Sequence, residues 1–173
     1  SVTGVQTCAL PILSARIKYQ KEKRVEVHKI IFSKYMAALS SSISSLLPNN
    51  LRKSFFLNSG AEAVEAAIKI CFKSFKSKKK NILFSNKSYH GKLIGSGSIS
   101  GSYYKESQFP QMENCKSFIF NDPNDLEKKV IENNNDGGVY CVIIEPYSAS
   151  LLESCSDDFM KKLFELKVKY KFK

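Results

Sequence analysis

Residues 54–69 have the sequence SFFLNSGAEAVEAAIK, in which a short apolar segment runs directly into a helical pattern. Residues 54–58 are a short stretch with an apolar centre, FFL, and are bounded by turn-forming residues, which predicts a buried β-strand. From Ala61 onward, apolar side chains recur at the spacing of one helical face, through Val64 and Ile68 to Phe75. Glu62, Glu65 and two lysines fall largely off that face. The segment therefore predicts a strand followed by an amphipathic helix.

The residues on both sides of this segment extend the pattern to an α/β fold. Ile82-Leu83-Phe84 is a second apolar strand after the helix, which predicts a right-handed βαβ unit with parallel strands. Further strands are expected at residues 117–120 and 139–145, and further helices at residues 30–47, from residue 123 and from residue 157. This order predicts a mostly parallel sheet flanked by helices, which we expect to continue after Lys173.

The junction at Ser59 and Gly60 is the first candidate binding site. In open parallel sheets, ligands bind beyond the carboxyl ends of strands. The free N–H groups and the dipole of a helix N-terminus favour an anion there. Gly60 lets a ligand approach the backbone, and Ser59 adds a hydroxyl. The pattern fits a phosphate site and an ordinary capped helix equally well.

Two further polar segments follow predicted strands and are expected at the same edge of the sheet. Tyr89 and His90 follow the strand at residues 82–84, and the ring of Tyr89 can lie flat against a planar cofactor. The alternative for His90 is a hydrogen-bonded packing residue. Glu145 ends the strand at residues 139–145, where a buried carboxylate needs a partner. Its alternative is a solvated glutamate at the sheet edge.

The glycine- and serine-rich stretch at residues 95–101 does not match a phosphate-loop motif. Its third glycine stands one residue late for G-x-G-x-x-G, and the chain contains no G-x-x-x-x-G-K-[ST] sequence. We interpret residues 89–101 as a flexible loop or a broken helix.

Charge and cysteine content narrow the class of protein. The formal net charge of +11 is compatible with nucleic acid, phosphate metabolites or lipid headgroups as partners, but the lysines are dispersed, which favours a solvated surface. The five cysteines include no C-x-x-C pair, which argues against a metal site and favours a reducing compartment. No apolar stretch is long enough to cross a membrane. We expect a cytoplasmic protein without nucleic-acid or membrane partners.

Three motifs in series resemble the class III aminotransferases, the family of the ornithine, acetylornithine, putrescine and 4-aminobutyrate enzymes. Residues 56–69 closely resemble the phosphate-binding segment of that family. Tyr89-His90-Gly91-Lys92 resembles its aromatic-His-Gly-basic segment, and residues 142–146 (VIIEP) resemble its Glu-Pro strand. The spacing of the three motifs also matches, and the resemblance covers residues 46–173.

The resemblance implies part of the large domain of the fold-type I transferases, with pyridoxal 5'-phosphate as cofactor. Gly60 and Ala61 would then offer backbone N–H groups to the cofactor phosphate, with Ser59 close by. It also implies that this domain occupies residues 14–173. Residues 1–13 contain no charged residue and resemble translated adapter sequence. We predict that they are a non-native or unstructured leader.

The same resemblance assigns three side chains to the cofactor ring. Tyr89 would stack on the pyridine ring, His90 would flank it, and Glu145 would lie beside it as a supporting catalytic residue. The reaction implied is transfer of an amino group from an amine or amino acid to a 2-oxo acid, in a parent protein expected to be a homodimer. A non-enzymatic α/β module that binds phosphate or nucleotides is the alternative.

The chain departs from the family in two places. Residues 147–152 read YSASLL, where many members have a Gln-Gly-Glu-Gly loop, so the amino donor cannot be inferred. The family's aspartate for the pyridine nitrogen and its Schiff-base lysine correspond to positions beyond Lys173. A polypeptide of these 173 residues is therefore expected to be inactive.

Overall fold

The computed structural model describes residues 14, 17–18, 21–22, 34–48, 51–76, 78–101 and 110–173. The predicted leader at residues 1–13 lies outside the described residues. The chain divides into two compact units, Ser1–Ser54 and Phe55–Lys173. In the first unit, helix α1 spans Lys34–Leu46, within the predicted residues 30–47. Arg52 Nη1 donates a hydrogen bond of 2.7 Å to the carbonyl of Ser44, which ties the following segment to this helix.

The second unit contains four helices and five strands in the described part of the chain. In order they are α2 Gly60–Ser74, β1 Asn81–Ser85, α3 Ile94–Ser98, β2 Cys115–Phe118, α4 Pro123–Asn135, β3 Val139–Ile143, β4 Tyr147–Ser148, β5 Glu153–Ser154 and α5 Asp157–Tyr170. The strands predicted at residues 82–84, 117–120 and 139–145 are confirmed, the last two with shifted bounds. The short antiparallel pair β4–β5 was not predicted.

The main sheet is parallel, with strand order β2-β1-β3. Ile82 of the central strand is in register with Cys115 on one side and Cys141 on the other. Beyond β3, the backbone of Lys173 donates to the carbonyl of Tyr140 at 3.0 Å and accepts from the N–H of Val142 at 2.9 Å. The parallel α/β prediction is thus confirmed.

The prediction of a strand at residues 54–58 is wrong. These residues form no strand, and the side chain of Phe55 is 69% exposed. The N–H of Asn58 donates to Glu62 Oε2 at 2.9 Å, so the segment is attached to the helix that follows it. A strand also needs an adjacent backbone, and both edges of β1 are already paired with β2 and β3. An apolar pattern alone does not supply that partner.

The second unit contains two apolar cores, and both include residues from the strands of the main sheet. The α4/α5 core consists of Leu83, Phe118, Leu126, Val130, Val139, Phe159, Leu163, Leu166 and Phe172. The α2 core consists of Ile68, Ile82, Phe84, Ile99, Cys115, Tyr140 and Cys141. Along β1, Leu83 belongs to the first core and its two neighbours to the second, as expected when successive side chains point to opposite faces. The sheet is therefore covered on both faces.

The helices predicted from residues 123 and 157 are confirmed, and each begins after a capping residue. Asp122 Oδ1 accepts hydrogen bonds from the N–H groups of Asn124 and Asp125, and Pro123 occupies the first helical position. Ser156 Oγ accepts from the N–H of Phe159 at the start of α5. Among the described helices, none is long and apolar enough to cross a membrane.

Candidate cofactor site

The N-terminus of α2 has backbone N–H groups that are free to bind a ligand. Ser59 is the N-cap, and its Oγ accepts from the N–H of Glu62 at 3.2 Å. The N–H of Ala63 is used by the carbonyl of Ser59. The N–H groups of Gly60 and Ala61 have no hydrogen-bond partner among the described residues. Two free donors at a helix N-terminus form a site for an anion.

Gly60 leaves open space beside these donors. A Cβ placed on Gly60 would meet no heavy atom within 4 Å. The backbone of Gly60 does not adopt a positive φ. The glycine is therefore not required by the conformation of the chain or by packing against a neighbour, and its surface stays accessible to a ligand.

Gly91 has the opposite role, because it brings the Tyr-His-Gly segment (residues 89–91) against α2. Its φ is +124°, which few side-chain-bearing residues adopt. A Cβ at this position would lie 2.6 Å from the Cβ of Ala61 and 2.9 Å from Ser96 Oγ. Only glycine allows this approach, which sets the segment beside the free N–H groups of α2.

A cavity of about 580 Å³ lies at this junction. It is lined by Gly60, Ala61, Val64, Tyr89, His90, Gly91, Lys92 and Leu93. Its volume falls within the range of roughly 300–1,000 Å³ that is typical of small-molecule sites. The ring of Tyr89 is 52% exposed, so its surface is available to a ligand. The structure thus brings together four residues that the sequence singled out, Gly60, Ala61, Tyr89 and His90.

One ring nitrogen of His90, a residue that lines this cavity, is without a hydrogen-bond partner in the described part of the chain. This nitrogen, Nε2, is buried, whereas the backbone N–H of His90 donates to Ser100 Oγ at 2.7 Å. Burial lowers the pKa of His90, so the ring is neutral at pH 7. A buried polar atom without a partner is uncommon in folded proteins, and it marks a position where a ligand can bind.

Glu145 and Ser59 stand apart from the lining of the cavity. Glu145 follows the carboxyl end of β3, and its Oε2 is buried without a hydrogen-bond partner in the described part of the chain. The alternative, a solvated glutamate at the sheet edge, does not fit the burial of this oxygen. The hydroxyl of Ser59 caps α2, as described above, and is not part of the cavity wall.

Two polar residues behind the cavity were missed by sequence reasoning. The helical pattern left Glu65 off the apolar face, but its Oε1 accepts a hydrogen bond of 2.7 Å from the N–H of Ser96. Residues 95–101, interpreted as a flexible loop or broken helix, are buried and include α3. Ser100, fully buried, bonds to the backbone of His90. The density of small residues was the only local signal of this close packing.

Known proteins resemble the chain over most of its length. A family model described as "Aminotransferase class-III" matches residues 8–170. An acetylornithine aminotransferase of Archaeoglobus fulgidus is 30% identical over 99% of this chain and 45% of its own length. A [LysW]-aminoadipate semialdehyde/glutamate semialdehyde transaminase of Sulfurisphaera tokodaii is 35% identical over 71% of this chain and 30% of its own length. The chain thus spans less than half the length of these relatives.

Solved structures show the same fold. A transaminase from the marine bacterium Virgibacillus superposes with a TM-score of 0.82 at 18% identity, covering 94% of this chain and 40% of that one. A taurine:2-oxoglutarate aminotransferase from Bifidobacterium kashiwanohense gives a TM-score of 0.79 at the same identity. The architecture is therefore part of the fold-type I α/β fold of the transaminases. The family match over residues 8–170 shows that the chain belongs to the class III aminotransferases.

Proposed function

We propose that the protein containing this chain is a pyridoxal-5'-phosphate-dependent aminotransferase that moves an amino group from an amine or amino acid to a 2-oxo acid. The observation that carries the proposal is the cavity that Gly60 and Ala61, whose N–H groups are free, line together with the Tyr-His-Gly segment. This arrangement offers a phosphate-binding end and an aromatic wall a short distance apart. The names of the relatives, which include acetylornithine aminotransferases, support the reaction class.

The residues present fit the cofactor. The N–H groups of Gly60 and Ala61 would bind its phosphate, supported by the α2 dipole and by the open space at Gly60, with Ser59 next to them. The exposed ring of Tyr89 would pack against the flat pyridine ring. His90, which lines the cavity, would use its unpartnered Nε2 on the same ligand. Glu145 is assigned to the cofactor ring by the family resemblance, and its unpartnered Oε2 is compatible with that role.

The bound cofactor supplies an electron sink for the bond that breaks at the amino-bearing carbon of the substrate. The residues of this chain contribute orientation. The phosphate donors would anchor one end of the ring system, and Tyr89 would fix the plane. A neutral His90 accepts or donates a hydrogen bond at Nε2 without adding charge. Together these groups would hold the cofactor ring in one orientation, which lowers the entropic cost of reaction.

The proposal extends to the location and assembly of the parent protein. We propose a cytoplasmic homodimer, following the family. The assignment of residues 1–13 as a leader and residues 14–173 as the cofactor-binding part stays a prediction.

Cofactor binding by this chain can be measured with pyridoxamine 5'-phosphate, followed by its fluorescence anisotropy. The amine form is preferable to the aldehyde, since the aldehyde reacts with surface lysines. Gly60→Asp places a carboxylate at the helix N-terminus, where it favours folding and repels phosphate. We expect unchanged or raised thermal stability and an affinity about tenfold weaker or worse.

Ala67→Asp is the matched control. Ala67 is exposed on the same helix, roughly 10 Å further along its axis, so the variant changes net charge equally but away from the cavity. It should retain the affinity of the unmodified chain. Equal binding by the Gly60→Asp variant, or tight ADP binding with no pyridoxamine 5'-phosphate binding, would overturn the proposal.

A further inference from the structure

We propose that Glu65 and Ser100 are positioning residues, which hold the Tyr-His-Gly segment at a set distance from the phosphate-binding end of α2. The inference rests on the proposed function, because it concerns how the two ends of one cofactor would be bound together. Neither residue lines the cavity. Their effect therefore passes through the backbone groups that they contact.

Glu65 connects α2 to α3. It lies one helical turn after Ala61, so the side chains of these two residues are on the same face of the helix. Its Oε1 accepts from the N–H of Ser96 at 2.7 Å, a charge-assisted hydrogen bond. Gly95 makes room for the carboxylate, because a Cβ there would lie 2.6 Å from Oε2 and 2.9 Å from Oε1. The Glu65 side chain thus provides a direct hydrogen-bonded link between α2 and α3.

Ser100 connects α3 to the Tyr-His-Gly segment. Its side chain is fully buried, and its Oγ accepts from the N–H of His90 at 2.7 Å. The same oxygen lies 3.0 Å from the carbonyl of Gly91 and 2.9 Å from the carbonyl of Ser96. A hydroxyl has a single proton, so it donates to one of these carbonyls at a time. Whichever carbonyl receives the proton, the bond from the His90 N–H attaches the segment to Ser100.

The contacts form a closed path that begins and ends on α2. Ala61 packs against Gly91, the N–H of the adjacent His90 bonds to Ser100, and the path returns through Ser96, four residues before Ser100, to Glu65. Two elements joined at two points cannot slide or rotate freely relative to each other. The Tyr89 ring and the phosphate donors would therefore keep a constant separation, which a rigid two-ended ligand requires.

Ser100→Ala and Glu65→Ala test this role when two ligands are compared. Inorganic phosphate needs only the N–H groups of Gly60 and Ala61, so we expect its affinity to change less than about twofold. Pyridoxamine 5'-phosphate also needs the Tyr-His-Gly segment, and we expect it to bind about tenfold more weakly. Glu65→Gln keeps an oxygen acceptor and should restore most of the lost affinity. Loss of both ligands to the same extent would indicate a general structural role and would refute the inference.

Ser98→Ala is the matched control, because Ser98 is equally buried but its Oγ bonds to the backbone of Ile94 and Met112. It should leave the ratio of the two affinities unchanged. Amide hydrogen exchange of His90 gives a readout that needs no ligand. We expect faster exchange in Ser100→Ala and unchanged exchange in Ser98→Ala. Retained protection of His90 in Ser100→Ala would overturn the inference even if the unmodified chain binds cofactor. A different outcome would overturn the proposed function and leave the inference intact. In that outcome the His90 amide exchanges faster in Ser100→Ala, as expected, but the unmodified chain does not bind pyridoxamine 5'-phosphate.

Discussion

The two faces of the parallel sheet are held by different kinds of contact. The α4/α5 core is assembled from apolar side chains, including the rings of Phe118 and Phe159 with centroids 6.0 Å apart. On the α2 side, the apolar core is accompanied by buried serines at positions 88, 96, 98 and 100 and by glycines in close contact with their neighbours. The candidate cofactor site lies on this second side.

This difference has a physical reason. Apolar packing is non-directional, so it stabilises a fold without specifying each atom's position closely. Hydrogen bonds depend steeply on distance and angle, and glycine contacts allow little displacement. Hydrogen bonds and close glycine contacts are therefore better suited to a site that must hold two ends of a ligand. The comparison predicts that stability and ligand binding respond to changes on different faces.

The largest loss of stability is expected from Phe118→Ala. Phe118 is 1% exposed and contacts Phe159. Removal of a buried aromatic ring costs about 3–5 kcal/mol in the free energy of unfolding, measured by urea denaturation. The control Phe164→Ala, on the 56% exposed side chain of α5, should cost less than about 0.5 kcal/mol. Similar losses for both variants would show that the α4/α5 core is not the stabilising face.

Gly101→Ala tests the close contacts of the other face. A Cβ at Gly101 would lie 2.2 Å from both the carbonyl carbon and the carbonyl oxygen of Asn86. Because backbone atoms cannot move aside as a flexible side chain can, we expect a loss of about 1–3 kcal/mol in thermal or urea unfolding. Gly60→Ala, whose Cβ would meet no atom within 4 Å, should cause no loss. Equal destabilisation by both substitutions would contradict the assignment of Gly60 as an open position.

A smaller effect is expected from the N-cap of α4. Asp122→Ala removes the acceptor for the N–H groups of Asn124 and Asp125, which should cost about 1 kcal/mol in the free energy of unfolding. Asp122→Asn keeps an oxygen acceptor and should lose only part of that amount. Because this cap lies on α4, pyridoxamine 5'-phosphate affinity should stay the same in both variants. A weakened affinity would mean that the two faces are coupled.

The smallest effect on stability is expected from changes in the cysteine thiols on the α2 side of the sheet. Their protonation is best followed by the rate at which they react with an alkylating agent. A hydrogen bond from the Cys141 thiol lowers the pKa of Cys71 to about 7, although burial opposes this shift. Burial raises the pKa of Cys115 to about 12. Between pH 7 and 9 the folded chain holds a Cys71 thiolate that the unfolded chain still protonates, so this contribution to stability is lost as the pH falls through 7.

Alkylation by iodoacetamide checks this assignment. We expect a fast phase with a midpoint near pH 7 that disappears in Cys71→Ser and persists in Cys115→Ser. The same fast phase in Cys71→Ser would assign the reactive thiol to another cysteine.

Local sequence signals predicted most of the elements. Asp122-Pro123 and Ser156 marked the starts of α4 and α5, because capping depends on residues within one turn. The motif at Ser59 and Gly60 identified the free N–H groups for the same reason. The strand expected at residues 54–58 failed, since strand formation depends on a partner backbone that periodicity does not report.

The sequence by itself determined helices α1, α2, α4 and α5, the three parallel strands and four of the residues that line the cavity. These features depend on the conformational preferences and polarity of neighbouring residues, which the order of amino acids contains directly. Only the tertiary structure decided that Glu65 and Ser100 lie behind the site, because the hydrogen bond from Ser96 to Glu65 joins residues 31 positions apart. It also decided that Gly60 faces open space while Gly91 contacts Ala61. Both glycines look alike in the sequence, and the difference arises from which atoms the fold places beside them.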